Sequence, residues 1–238
     1  MIPVIIPLKW HSTNNYLELK YALRSLETYM INTSTVTIIG LTKPKWANEN
    51  LLHVKAGDPT PYTAINIKEK LLKACEMDDK YFLMYHDDHF LTEEFDAEKL
   101  PQFYQGTIQE FITASKYNPY RQQLQNTQAA LKSITQRPLY WDVHFPITFN
   151  RQKLKDILLN HDWSVQQGYA IKSLYCNTLG FRGIPIEEVV IDRPVRKKEL
   201  LNSYLNDRPF FSTHDGGINE FLVEKWEELY PKKSKFEI

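Results

Sequence analysis

No G-x-G-x-x-G turn follows the first apolar run of this chain, residues 2–8, and no G-x-x-x-x-G-K-[ST] occurs anywhere in it. Those glycines let a backbone close on a pyrophosphate, so their absence argues against a Rossmann-type dehydrogenase and a P-loop enzyme. Cysteine is scarce: Cys75 and Cys176 are the two present, far apart in sequence. They and the scattered histidines lack the ligand spacing of a zinc site, and the two thiols read as buried and reduced. There is no excess of either charge, since 29 Lys and Arg balance 29 Asp and Glu. A net charge of zero gives no field that would draw nucleic acid or a membrane, although a local basic patch stays open. Low-complexity tracts and internal repeats are also missing. The opening MIPVIIPLKW lacks a basic n-region, and its apolar run is too short for a signal peptide or a membrane span. A soluble, cytoplasmic protein is expected.

What is present supports a core. Hydrophobic residues make up 42% of the 238 and aromatics 13%, enough for one large domain. Residues 2–8 read as a central strand, 15–29 as an amphipathic helix, 35–40 and 51–55 as further strands, and 63–77 as a second helix. Ser12, Thr13 and Asn14 supply turn and N-cap types before the first helix. Strand, helix, strand at the start of a chain is the beginning of a parallel α/β sheet. Residues 96–106 read as irregular, 108–116 and 120–133 as helices, and 139–149 as an edge strand interrupted by Pro146. Helices over 152–159 and 165–175, a turn at 180–185, a short strand at 188–191 and a helix over 218–229 follow. The tail 231–238 is basic and is expected to wrap the surface. One domain over 1–238 is expected, with an α/β half to about residue 100 and an α+β half after it.

The chemistry concentrates in 81–91, YFLMYHDDHFL. An apolar strand there runs into His86, Asp87, Asp88 and His89. Ligands of open α/β sheets sit beyond the carboxyl ends of the strands, and carboxylates there can hold a divalent cation and through it a diphosphate. The competing reading is that Asp87 and Asp88 cap a turn. On an extended chain His89 would point away from Asp88. Asn66, Lys70 and Lys73 share one stripe of the second helix, facing either a ligand or solvent. Asp142 and His144, two apart on the expected strand, face one side. They are either a working pair or a structural one. His214-Asp215-Gly216-Gly217 repeats the acid–imidazole theme at a tight turn, with a cap as the alternative for Asp215. DRPVRKK at 192–198 is the densest basic run.

Several landmarks occur in an order that resembles the GT-A class of nucleotide-sugar glycosyltransferases, and within it the Stealth-type capsular sugar-phosphate transferases. They are LKYALRSLETY at 19–29, the strand at 37–46 ending in Lys-Pro-Lys-Trp, YFLMYHDDHFL, and His144-Phe145-Pro146 before a polar helix. Compact glycosyltransferases of bacteriophages and capsule loci are similar as well, which would place the protein in a bacterial or phage-infected cell. The chain is shorter than the Stealth-type enzymes and shows no Asp-Gly-Ser-type motif after its first strand, which favours plain glycosyl transfer over phosphosugar transfer.

The resemblance implies a GT-A-like mixed sheet flanked by helices, with a donor half over 1–100 and an acceptor half over 101–238. Pro7, Leu8 and Lys9 would approach the base or ribose, helped by Asn66 and Lys70. Asp88 would ligate Mn²⁺ or Mg²⁺, with Asp87 acting through water or on the ribose. His214 would be the further metal ligand, with His144 second in line. Asp142, His144 and Asp215 are the candidates to take a proton from the acceptor hydroxyl. Arg193 and Arg196, with Lys197 and Lys198, would meet a diphosphate or an anionic acceptor. The expected partners are a nucleotide-diphosphate sugar and a glycan, with hydroxymethylated DNA as another acceptor. Sugar-1-phosphate transfer and a catalytically inactive glycan- or nucleotide-binding module are the competing functions.

Overall fold

A computed structural model describes residues 1–9 and 15–238; the expected turn residues Ser12, Thr13 and Asn14 lie outside the described residues. The chain runs β1 (Ile2–Pro7), α1 (Leu17–Tyr29), β2 (Met30–Ile31), β3 (Thr33–Gly40), β4 (Leu51–Lys55), α2 (Thr63–Ala74) and β5 (Tyr81–Met84). It continues through β6 (His89–Leu91), β7 (Phe95–Asp96), β8 (Phe103–Tyr104), α3 (Ile108–Ala114), α4 (Asn118–Leu131), β9 (Ile147–Asn150) and α5 (Arg151–Leu159). Last come α6 (Ile171–Thr178), β10 (Ile184–Pro185), β11 (Val190–Ile191), α7 (Lys198–Leu205), β12 (Phe210–Thr213) and α8 (Glu220–Leu229).

The central sheet has the order β4-β3-β1-β5-β9. Its first four strands are parallel, and β9 pairs antiparallel with β5. The structure is therefore a mixed α/β fold with a parallel-rich sheet flanked by helices. A central parallel strand is buried on both faces, which is why β1 is apolar throughout rather than alternating. Its side chains still divide by parity. Val4, Ile6 and Leu8 join Leu19, Leu23 and Leu26 of α1 and Trp226 of α8 in one core. Ile5 joins Leu71 of α2, Leu124 of α4 and Leu174 of α6 in the other. A smaller sheet, β11-β12-β6, sets β12 antiparallel to β6 with Ser212 opposite His89.

Three expectations about local structure are corrected. The strand expected over 139–149 is confined to Ile147–Asn150. The preceding segment is tied to α6 instead: the Trp141 amide donates to Ser173 Oγ at 2.8 Å, and the Asp142 carboxylate accepts from the Lys172 and Ser173 amides at 3.3 and 2.9 Å. Asp142 thus satisfies orphan N–H groups of the first turn of a helix. The helix expected from 165 begins only at Ile171, because Gln167 and Gly168 both take the left-handed conformation, at φ 72° and 62°. Part of the basic run belongs to α7, which was not expected: its apolar Leu201 and Leu205 are buried while its lysine faces out.

Candidate functional site

β1 and β5 are neighbours and end together, β5 continuing its register through a Tyr85 amide that donates to the Ile5 carbonyl at 2.9 Å. The chain then turns sharply. The buried Tyr85 hydroxyl donates to the His89 carbonyl at 2.9 Å, and the His89 amide reaches the His86 carbonyl at 3.5 Å. This turn corrects the extended-chain expectation for His89. Its Nε2 lies 3.7 Å from Asp88 Oδ1 rather than pointing away. His86, Asp88 and His89 each bring a donor atom within 4.8 Å of the others, a set the bare sequence spacing did not reveal. β12 delivers the second half of the site, where the Thr213 amide bonds the Asp88 carbonyl at 3.3 Å. The turn after it needs Gly217, where a Cβ would sit 2.0 Å from the Ile191 carbonyl oxygen. The cap of that turn comes from His214, whose Nδ1 accepts from the Gly216 amide at 3.3 Å, and not from Asp215.

Three cavities meet at these residues, and Asp88 lines all of them. The first, about 390 Å³, lies between Pro7, Lys9, the 58–63 segment and α2, with Asp87 in its wall. The second, about 190 Å³, is lined by His86, His89, Asp142, His144 and Lys172. The third, about 140 Å³, collects Lys9, Glu18, Asp87, His214 and Asp215.

The electrostatics are those of carboxylates short of positive charge. Burial, aided by Asp88, pushes the Asp87 carboxyl up to about 7. Burial also raises Asp88, against the pull of His144. Glu18 rises to about 8, through burial and then the acids beside it, although the Thr213 hydroxyl donates to it at 2.6 Å. Burial drives His86 and His89 well below the ordinary imidazole value, which favours the neutral rings. Asp88 Oδ1 and His89 Nδ1 are buried without a hydrogen-bond partner, which is costly unless a ligand engages them. Burial pulls His144 down, but Glu188 more than reverses it. The Glu188 carboxylate accepts from the His144 amide at 2.7 Å and faces Nδ1 at 3.3 Å, leaving the ring raised overall.

Asn66 and Lys70 stand in the wall of the first cavity, but their polar atoms are turned to the protein. The Asn66 side-chain amide donates to the Thr60 carbonyl at 2.8 Å while its oxygen accepts from the Thr60 amide at 3.1 Å. The Lys70 ammonium donates to the Leu8 carbonyl at 2.7 Å and pairs with Asp58. They clamp the loop that shapes the cavity, which explains why Asn66 sits between two isoleucines. Leu8, expected at the base or ribose, is 1% exposed, with its carbonyl taken by Lys70 and its amide donating to the Ile39 carbonyl at 2.9 Å. Arg193 and Arg196 line a separate cavity beside α7 and none of the three at the sheet edge. Sequence reading missed Glu18, Glu188 and Lys172. Glu18 was legible as a helix-start acid, but nothing local says which way that turn faces.

Glu18→Gln offers a direct check of this field. A carboxyl whose folded-state value is raised binds its proton more tightly folded than unfolded, so its contribution is present at low pH and lost as pH rises through about 8. The apoprotein should therefore lose stability between about pH 4.5 and 8. Glu18→Gln should flatten that slope and raise the melting temperature at pH 8. An unchanged slope would show the carboxylate cluster to be solvated.

No family model matches the chain, and no curated protein matches it at a significant level. Among solved structures, an active-site mutant of LgtC is similar, with 13% sequence identity and a TM-score of 0.52 over 98% of this chain and 97% of that one. The galactosyltransferase LgtC in complex with donor and acceptor sugar analogs is similar at 11% identity, with the same TM-score and coverage. The fold is GT-A-like. At this identity the likeness carries the architecture and no residue roles, and nothing in it speaks for the Stealth-type or phage resemblance.

Proposed function

We propose that the chain is a glycosyltransferase that moves a sugar from a nucleotide-diphosphate donor to a hydroxyl acceptor with a divalent cation at Asp88. The observation that carries this reading is the position of Asp88. The residue lines all three cavities at the carboxyl ends of β1 and β5, with one of its oxygens buried and unpartnered beneath them, and the GT-A-like fold supports it. Half-buried acids with raised values, beside imidazoles whose burial favours the neutral form, are a donor set that a divalent cation would relieve. Asp88 with His214 would hold the ion, His86 and His89 lie within reach, and Asp87 would act through water or on the ribose. Bound there, Mn²⁺ or Mg²⁺ would neutralise charge on the departing diphosphate.

The first cavity would take the nucleotide, against Pro7 and Lys9, with Asn66 and Lys70 keeping its wall in place. The second would take the acceptor. In the transfer the bond from the anomeric carbon to the diphosphate breaks, a bond to the acceptor oxygen forms, and the hydroxyl proton leaves. Of the three residues nominated to receive that proton, His144 is best placed: Glu188 fixes one ring nitrogen and the ring lines the acceptor cavity. Asp142 orients that cavity through α6, and Asp215 contributes charge to the third cavity. The 1–100 half would then serve the donor and the 101–238 half the acceptor. Arg193 and Arg196, exposed at the separate cavity beside α7, would meet an anionic acceptor that extends that far. A glycan fits better than hydroxymethylated DNA, since the net charge is zero. Among the described residues no helix is long and apolar enough to cross a membrane.

A thermal-shift series with UDP-, GDP-, CDP- and TDP-sugars, each with and without Mn²⁺, tests the reading. One nucleotide should raise the melting temperature, and only with the ion. A series with no metal-dependent shift would sink the proposal. Product mass then separates the two transfers: the acceptor gains a hexose in one and a hexose phosphate in the other.

A further inference from the structure

The donor atoms on the acceptor side of Asp88 are mostly nitrogen. The His86 and His89 rings lie 4.8 Å apart, centroid to centroid, tilted by 36°. His89 is 2% exposed, and its Nδ1 has no hydrogen-bond partner among the described residues. Asp88 Oδ1, equally unpartnered, is 3.7 Å from His89 Nε2. The His144 ring stands edge-on to His89 at 6.0 Å, its Nδ1 held by Glu188 at 3.3 Å. A ligand–metal bond of about 2.1 Å in a tetrahedral site puts donors roughly 3.4 Å apart. Small side-chain rotations would bring the present set, spread within 4.8 Å, to that spacing.

We infer that His86, Asp88 and His89 form an imidazole-rich cation site that takes a nitrogen-preferring first-row ion of the Co²⁺ or Zn²⁺ kind ahead of Mg²⁺. The inference rests on the reading of Asp88 as a cation ligand and narrows which ion that ligand serves. The reasoning is one of donor chemistry. Mg²⁺ wants oxygen in a near-octahedral shell and gives up water reluctantly. Imidazole suits later first-row ions, whose affinity rises along the series from Mn²⁺ towards Co²⁺ and beyond. Two imidazoles and one carboxylate also leave a tetrahedral ion one position, for which His214, a diphosphate oxygen or water would compete. An oxygen-rich arrangement does exist on the other side of Asp88, at Glu18, Asp87 and Asp215. Glu18 there is engaged by the Thr213 hydroxyl at 2.6 Å, whereas the imidazole side keeps its buried atoms unengaged.

The test uses the full chain, stripped with a chelator and titrated with Co²⁺, Zn²⁺, Mn²⁺ and Mg²⁺ separately, with and without a nucleotide sugar. The site should bind Co²⁺ about tenfold or more tightly than Mn²⁺ and about a thousandfold more tightly than Mg²⁺. A visible cobalt absorption should report nitrogen ligation. His86→Asp, which supplies a second carboxylate at the half-buried position, should narrow the Co²⁺ over Mg²⁺ preference by about tenfold or more. His161→Ala, at a histidine tied to the Ile157 carbonyl in α5, should leave every affinity unchanged. Circular dichroism of each variant separates lost binding from lost fold. Mg²⁺ or Mn²⁺ binding as tightly as Co²⁺ would overturn the inference while leaving the transferase reading intact. So would a Co²⁺ affinity indifferent to His86→Asp. Tight, His86-dependent Co²⁺ binding with no nucleotide sugar ever raising the melting temperature would uphold the site and remove the transferase reading.

Discussion

Asp88→Asn is expected to abolish metal-dependent nucleotide-sugar binding, to lower transfer by at least about 10²-fold, and to raise the stability of the metal-free protein. The stabilisation is the diagnostic part. Asp88 sits beside Asp87, its carboxyl is raised by burial, and one of its oxygens has no partner. A neutral amide of the same shape removes the charge that the metal-free fold holds at a cost, by about 1 kcal/mol. The sign with pH follows. A carboxyl raised in the folded state becomes destabilising as it ionises, so the advantage of asparagine should grow from pH 5 towards pH 8. The turn-cap reading makes the opposite prediction. A capping carboxylate lost to substitution costs about 0.5–2 kcal/mol at neutral pH. Urea unfolding of wild type and variant at two pH values, with chelator present, decides between them. A destabilised variant at pH 8 would return Asp88 to a structural role.

The features legible in the sequence were those set by short-range patterning. β1, α1, β3, β4, α2 and β5 follow from apolar runs and helical spacing, because a buried parallel sheet writes itself as uninterrupted hydrophobic segments. YFLMYHDDHFL was readable for the same reason: a polar cluster at the end of such a run stands out. What the pattern could not carry was the turn inside it. Whether His89 opposes Asp88 or curls back to it depends on a hydrogen bond from Tyr85 and on pairing with β12, more than a hundred residues away. Asp142 shows the same limit. The strand reading put it beside His144 as a working pair, whereas its carboxylate caps α6, a contact that no spacing along 139–149 announces. Lys70 looked like a ligand-binding lysine on a polar stripe. Its partners, the Leu8 carbonyl and Asp58, are set by how the sheet ends, so an apparent ligand face was an internal clamp. Glu188 needed tertiary knowledge altogether.

The tail is where reading by composition failed most, and it supplies the largest expected effect on stability. A basic stretch that wraps the surface would tolerate truncation. Instead Phe236 is 2% and Glu237 9% exposed, and the Glu237 carboxylate takes two parallel bonds from Arg24 of α1, at 2.7 Å each. The Ser234 amide adds a third donor at 2.9 Å, and Lys20 stands 3.5 Å away. Asn48 holds the same segment by donating to the Lys235 and Glu237 carbonyls at 2.9 Å. Removing one member of a buried pair leaves the other charge uncompensated, so Glu237→Ala should cost about 3–5 kcal/mol. Arg24→Met combined with Glu237→Met should recover much of that, since neither charge then remains buried. A double variant as unstable as the single would mean that packing of Phe236, and not the ion pair, fixes the tail.

The pH dependence is separable from that of the acid cluster because its sign is reversed. Burial alone would raise Glu237, but Arg24 and the Ser234 amide outweigh it and hold the carboxyl at about 2 against an ordinary 4.5. A depressed carboxyl stabilises above its unfolded value and loses that contribution as pH falls through the folded one. About 3 kcal/mol should thus vanish between roughly pH 4.5 and 2 in wild type, and little of it in Glu237→Gln. The consequence reaches the site through α1. The helix that the tail pins at Arg24 carries Glu18 in its first turn, where Glu18 bonds Thr213 beside Asp87 and Asp215. A loosened tail should therefore weaken cation binding at Asp88 without a single ligand being changed. A Glu237→Gln variant that remains folded at pH 7 but binds the ion several-fold more weakly would show that coupling.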